Sequence, residues 1–205
     1  MRRSREEAAK TRQEIVKAAS TLLRERGLHG ISVAELMSEI GLTHGGFYTH
    51  FDSKEALTSE AIDAAFDESV RGWHNVLESA RTKSGFTSLV DLYLAEEHLK
   101  DPGTGCAVPA LGSEIARAAP VVRESVAKGI SEMIEIFSKQ IDDTSPERRK
   151  ERAIATVACL VGAIVMARCV NDQATAQSYL EGARNQLLSN QAATPTRSKK
   201  KPGRS

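Results

Sequence analysis

Apolar residues recur every three or four positions along nearly the whole chain, and no stretch sustains an apolar–polar alternation. A period of 3.6 puts such residues on one stripe of a helix, whereas a half-buried strand needs a period of two. The expected fold class is therefore all-α. Gly27, Gly30, Gly41, Gly85, Pro102-Gly103, Pro120 and Pro146 punctuate the helices. No internal repeat at a fixed period is present. The longest apolar run, 157–167, is too short for a membrane span, which needs about 20 residues.

Hydrophobic residues make up 40% and charged residues 27% of the 205 positions, the balance of a folded, soluble chain of one or two small domains. The N-terminus MRRSREEAAK has no apolar stretch behind its charges, so no secretory signal is expected and the expected compartment is the cytoplasm. Three cysteines are too few and odd in number for a disulfide framework.

The first helix is expected over about 6–26, with Ile15, Ala18, Ala19 and Leu22 inward and Gly27 ending it. Ser32 and Glu35 form a Ser-x-x-Glu capping box that starts a second helix at Val33. It buries Leu36, Met37 and Ile40 and stops at Gly41. Thr43 caps a short third helix over 44–51. Asp52 and Glu55 repeat the cap pattern ahead of a long fourth helix with Leu57, Ala61, Ala64 and Ala65 inward. Five more follow. One spans about 86–99, and a short one begins near Cys106. Pro120 opens another, and Ser145-Pro146 begins one reaching about 170. Asp172 caps the last.

Two short helices joined by Gly41-Leu42-Thr43 make a helix-turn-helix unit, whose second helix would lie in a DNA major groove. That helix begins His44-Gly45-Gly46. Each glycine costs up to about 1 kcal/mol relative to alanine in a helix. A helix built only to fold would gain from alanine. Glycine instead lets the backbone approach a phosphate or base edge, and the helix N-terminus suits an anion. Tyr48, His50 and Lys54 add donors on or just past this helix. Phe47 and Phe51, four apart, can anchor it.

The run GISVAELMSEIGLTHGGFYTHFDSKEAL resembles the DNA-binding signature of the TetR/AcrR family of transcriptional regulators. The matching elements are Gly41, Thr43, Gly45, Tyr48, His50-Phe51, Ser53-Lys54-Glu55 and Leu57, within about residues 10–60. The resemblance implies an all-helical homodimer of nine-helix subunits. A ligand-binding C-terminal domain would release a two-fold operator when its effector binds. By the same resemblance, Thr43 and His44 contact bases or phosphates, and Gly45 and Gly46 let the backbone near the groove. Tyr48 and His50 act as phosphate or base donors, Lys54 contacts phosphate, and Ser32 and Val33 meet the DNA backbone. With Gly46 and His44 in place, side-chain base readout is thin. DNA shape is expected to carry part of the specificity.

The expected division is a DNA-binding domain over 1–52, a ligand-binding and dimerisation domain over 53–190, and a basic disordered tail over 191–205. The tail carries +5 of a net charge of +1, leaving −4 elsewhere. The first 60 residues hold nine basic and nine acidic side chains, so any DNA contact must be a local patch. Arg2, Arg3 and Arg5 form a basic arm that can follow DNA or stay solvated.

The helix over 146–170 is apolar on two sides. Ala155, Ala158, Cys159, Gly162, Met166 and Cys169 form one, and Ile154, Val157, Val161, Ile164 and Ala167 the other. Such a helix must be covered on both sides. A second copy of the chain is the expected cover, with help from the helix over 172–189. Two recognition helices about 34–36 Å apart would then read two half-sites of a palindromic duplex.

Cys106 follows Gly105 at an expected helix start, a place that favours thiolate. The segment GCAVPAL resembles a Gly-Cys stretch of family members that sense electrophiles or oxidants. A small packing residue is the alternative. Cys159 and Cys169 read as buried small hydrophobes. Phe66, Trp73, Tyr93, Met133 and Phe137 are candidate pocket residues for an unknown small-molecule effector, and core packing explains each equally well. No cofactor or metal is expected. No Gly-x-Ser-x-Gly, P-loop or His-Glu-x-x-His motif occurs, which argues against an enzyme. A DNA-binding dimer that senses nothing remains the alternative function.

Overall fold

The computed structural model describes residues 5–80 and 83–192. Among them are ten helices and no strand. These are α1 (Arg5–Arg26), α2 (Val33–Glu39), α3 (His44–Phe47), α4 (Lys54–Ser79), α5 (Gly85–Tyr93), α6 (Glu96–Lys100), α7 (Ala107–Ile115), α8 (Pro120–Lys139), α9 (Pro146–Arg168) and α10 (Gln173–Ala192). The fold is the expected all-α one. Arg2, Arg3 and the basic residues of the tail lie outside the described residues. Arg5 is already helical, and α10 runs past the expected start of the tail.

The first three helices close over Ile15, Ala19, Leu23, Leu36, Met37, Phe47 and Phe51. The inward stripe of α1 is turned from the expected one. Ala18 and Leu22 are half-exposed, while Leu23 and even Arg24 are buried. The cause is that α1 packs against both α4 and α7, not only against its own small unit.

α4 leaves this unit and lies along α8. The crossing is close because Gly129 carries no side chain. A Cβ there would fall within 2.2–2.4 Å of the Phe66 ring. The Ser59 and Ser125 hydroxyls hydrogen-bond at 2.7 Å in the same seam. α8, α9 and α10 then pack in succession, and α10 returns to α5.

Three expectations change. α4 is capped by Ser53, whose hydroxyl accepts from the Ala56 N–H at 3.0 Å, while Asp52 is exposed. The single helix expected over 86–99 is two. The His98 Nδ1 lies 2.6 Å from the Tyr93 carbonyl, which a continuous helix would offer to the Glu97 N–H, and α6 restarts after Ala95. α3 ends at Phe47 rather than Phe51, continuing only as turns from His50 N–H to Phe47 and from Thr49 N–H to Gly46.

On α9, Val157, Ile164 and Ala167 are buried, as is Leu160. The opposite side is open. Ile154, Ala155, Ala158, Val165, Met166 and Cys169 are exposed, Met166 to 53%, and a Cβ on Gly162 would meet nothing within 4 Å. Cys169 is thus not buried within the chain, and Cys159 is only half-buried. No helix of the described residues is long and apolar enough to cross a membrane.

Candidate nucleic-acid interface and inner cavity

Local sequence builds the helix-turn-helix. The Ser32 hydroxyl accepts from the Glu35 N–H at 3.2 Å, and the Glu35 carboxylate accepts from the Ser32 N–H at 2.8 Å. This bond with Ser32 holds the Glu35 carboxyl below its ordinary pKa. α2 ends in a Schellman motif. Gly41 N–H donates to Ser38 at 3.0 Å and Leu42 N–H to Met37 at 2.8 Å, with Gly41 at φ 70°. That left-handed residue needs glycine. It redirects the chain so that Thr43 can cap α3 through the Gly46 N–H, at 3.3 Å.

α3 presents Thr43, His44, Gly45 and Tyr48 to solvent. Tyr48 is 63% exposed, its ring edge-on to His44 (5.7 Å between centroids) and to Phe47 (5.1 Å). Nothing inside the protein demands Gly45 or Gly46. Neither has positive φ. A Cβ on Gly45 would meet nothing within 4 Å, and one on Gly46 would make only ordinary contact with Thr43 and Met37. The two residues therefore give up helix stability for no internal gain.

α3 is held from behind. Phe47 is buried and stacks on Phe51, 5.6 Å between centroids. The Arg12 guanidinium sits 4.5 Å over Phe51, donates to the His50 carbonyl at 3.4 Å, and forms a two-pronged ion pair with Glu60. Sequence reasoning missed Arg12. Its partners are distant in the chain, and nothing local marks it.

Lys54 has a structural role in addition to the expected one. Its ammonium donates to the Leu28 carbonyl at 2.7 Å and to the Ile31 carbonyl at 2.6 Å. Two of three donors are thus spent on the turn between α1 and α2, and the residue fixes that turn in place. Ser32 is exposed and Val33 half-buried at the turn's end.

A second site lies where α1 meets the helical body. Arg24 is 4% exposed. It donates to the Gly105 carbonyl at 2.6 Å and pairs with Glu68 at 3.1 Å. From α7, Glu114 accepts the Leu28 N–H at 2.9 Å. Next to the Arg24 contact is a cavity of about 390 Å³, lined by Gly72, Trp73, Leu92, Tyr93, His98, Gly105 and Cys106 among others. Of the expected pocket residues, Trp73 and Tyr93 line it. Phe66, Met133 and Phe137 do not. Phe66 fills the α4–α8 crossing, and Met133 and Phe137 are fully buried core, Phe137 edge-on to Phe86.

Cys106 occupies the N-cap position of α7 without a side-chain capping bond, and it is buried as the packing alternative requires. Burial pushes the thiol pKa up, and the Tyr93 hydroxyl and neighbouring arginines oppose the shift without reversing it. The Cys106 N–H donates to His98 Nε2 at 3.1 Å, so His98 carries its proton on Nδ1, toward Tyr93. Desolvation lowers the His98 pKa. Among the described residues no cluster of His, Cys, Asp or Glu could hold a metal ion.

An exposed helix-turn-helix unit braced on a helical body is the architecture of a DNA-binding transcriptional regulator. Residues 15–61 match the family model described as bacterial regulatory proteins, tetR family. An uncharacterized HTH-type transcriptional regulator of Mycobacterium tuberculosis is 28% identical over 198 residues, 92% of this chain and 98% of its own. The HTH-type transcriptional repressor DhaR of Mycobacterium sp. strain GP1 is 25% identical over 136 residues, 63% of this chain and 65% of its own. A TetR-family regulator from Cytophaga hutchinsonii shares the fold at a TM-score of 0.75 and 18% identity, over 92% of this chain and 98% of its own. Reduced E. coli NemR does so at 0.73 and 20%, over 88% and 96%. Residues 15–61 thus carry the DNA-binding unit of the tetR family, and the chain resembles an HTH-type transcriptional regulator over nearly its full length.

Proposed function

We propose that this regulator is a cytoplasmic homodimeric repressor that grips a palindromic operator and lets go when a small molecule occupies its body. Residues 1–52 serve as the reader, and 53–190 as the sensor and dimerisation unit. The observation that carries this reading is the pair of glycines on α3, which the protein itself does not need. Thr43, His44, Tyr48 and His50 supply the DNA contacts, Gly45 and Gly46 the close approach, and Ser32 and Val33 the flanking contact. Lys54 braces the turn beside them.

The open apolar side of α9 supports dimerisation through α9 and α10. Single apolar residues on a surface are ordinary, but a continuous stripe along one helix calls for a partner. The Arg24–Gly105 bond supports communication, because the cavity wall is tied directly to α1. Modification of Cys106 is a second route to release. Its place on the cavity wall favours this, and its burial slows it.

Footprinting on the DNA flanking the gene, followed by titration of the protected duplex, tests the reading. Protection of two half-sites about one helical turn apart, by a dimer, is the expected result. A monomer with equal affinity for every duplex overturns it.

A further inference from the structure

The Tyr93 hydroxyl and the Arg168 Nη1 are buried side-chain polar atoms without a hydrogen-bond partner, and among the described residues they are the two such atoms. A buried donor left unpaired costs roughly 1–3 kcal/mol. Such a group in a native structure calls for an explanation, and a partner from outside the chain is one. Tyr93 is 2% exposed and lines the cavity. Its hydroxyl and the Cys106 thiol influence one another without a hydrogen bond of normal geometry.

Arg168 reaches the same corner from α9. Its Nη2 donates to the His98 carbonyl at 2.5 Å and its Nε to the Leu99 carbonyl at 3.2 Å. These bonds lodge the guanidinium behind α6, and among the described residues it forms no ion pair with a carboxylate. His98 packs edge-on to Tyr93, 4.6 Å between centroids, and offers no further donor because its two nitrogens are already used. The unmet need at this corner is therefore for an acceptor. The rest of the wall exposes mainly apolar surface, with Trp73, Leu92 and Gly72 on it, and Glu68 and Glu97 also line the cavity.

We propose that the cavity binds a compact, largely apolar molecule carrying one carbonyl or carboxylate oxygen, which accepts from the Tyr93 hydroxyl beside Arg168. This rests on the sensor role given to residues 53–190. The apolar body lies against Trp73 and Leu92. The ligand sits against the Thr104-Gly105 wall that Arg24 holds, so occupancy reaches α1 without an intermediate element.

Calorimetric titration of the full chain, free of DNA, with benzoate, acetophenone and toluene tests this. Benzoate or acetophenone should bind at least roughly tenfold more tightly than toluene, the value of one good hydrogen bond. Whichever oxygen compound binds better identifies a carboxylate or a neutral carbonyl as the preferred head group. Tyr93→Phe removes only the unpaired hydroxyl. It should fold with undiminished thermal stability and lose that preference. Gly72→Leu, at a position where a Cβ meets nothing within 4 Å, should fill the cavity and abolish binding of every probe. Equal affinity for toluene, unchanged affinity in Tyr93→Phe, no binding of any probe, or tighter binding of benzyltrimethylammonium each overturns the proposal. Duplex binding by the same preparation is measured separately, so loss of this inference leaves the DNA-binding reading distinguishable.

Discussion

The ammonium of Lys54, at the first residue of α4, donates to the carbonyl of Ile31 at 2.6 Å, one residue before the cap of α2. With the parallel bond to Leu28 it closes the turn on which the reading unit stands. Lys54→Met keeps the apolar stem and removes the donors. It should cost about 1–3 kcal/mol of stability, since two carbonyls lose a charged partner. Denaturant unfolding checks this. A phosphate-contacting lysine would instead reduce the slope of log affinity against log salt by about one. The expected slope is nearly unchanged.

Gly45→Ala and Gly46→Ala separate folding from reading. Both fit sterically. Each should leave stability unchanged or raise it by up to about 1 kcal/mol. Each should also weaken operator binding, because the added methyl keeps the backbone from the groove. Thermal denaturation and fluorescence anisotropy on one duplex read the two effects. A stabilised variant with full affinity would remove the reason given for these glycines.

Met166→Glu places a charge in the middle of the open stripe on α9. Within one chain the position is exposed, so the monomer should fold normally. Analytical ultracentrifugation should show dissociation, and operator affinity should fall with it. A dimer of unaltered strength would move the interface elsewhere.

His98 makes stability depend on pH. Its pKa in the fold lies below the ordinary 6.5, chiefly through desolvation. As pH falls through the unfolded value, the unfolded chain takes up a proton that the folded chain refuses. Stability therefore drops on acidification below about 6.5 and stops dropping once the folded-state pKa is passed. Protonation would also set an Nε2–H against the Cys106 N–H. Tyr93 and Cys106, which face the ring, are pushed upward by burial, away from this window. His98→Gln should flatten the fall in melting temperature between about pH 7 and 5.5.

The reading unit was largely legible because its signals are local. A capping box spans four residues, and the Gly41 turn is dictated by its own φ. The cap at Ser53 rather than Asp52 is a slip of one residue and the end of α3 at Phe47 rather than Phe51 one of four, and only realised hydrogen bonds decide either. The sensing site was much less legible. Periodicity marks Trp73, Tyr93, Met133 and Phe137 alike as inward. Whether an inward side chain meets a neighbour or a void depends on helices far away in the chain.

The same division holds for charge. Position in a helix suggested a reactive Cys106 and a DNA-facing Lys54. Burial of the thiol among Tyr93, Arg24 and Arg168 disfavours the thiolate, and two backbone carbonyls draw the Lys54 ammonium inward. The amino-acid order alone indicates the all-helical pattern, the Ser32–Glu35 capping box, the Gly41 turn and the glycines of α3, since these depend on residues within a few positions of one another. The brace by Arg12, the Arg24–Gly105 tie and the unpaired Tyr93 hydroxyl exist only once the chain has closed, because desolvation and hydrogen-bond partners are properties of the packed molecule.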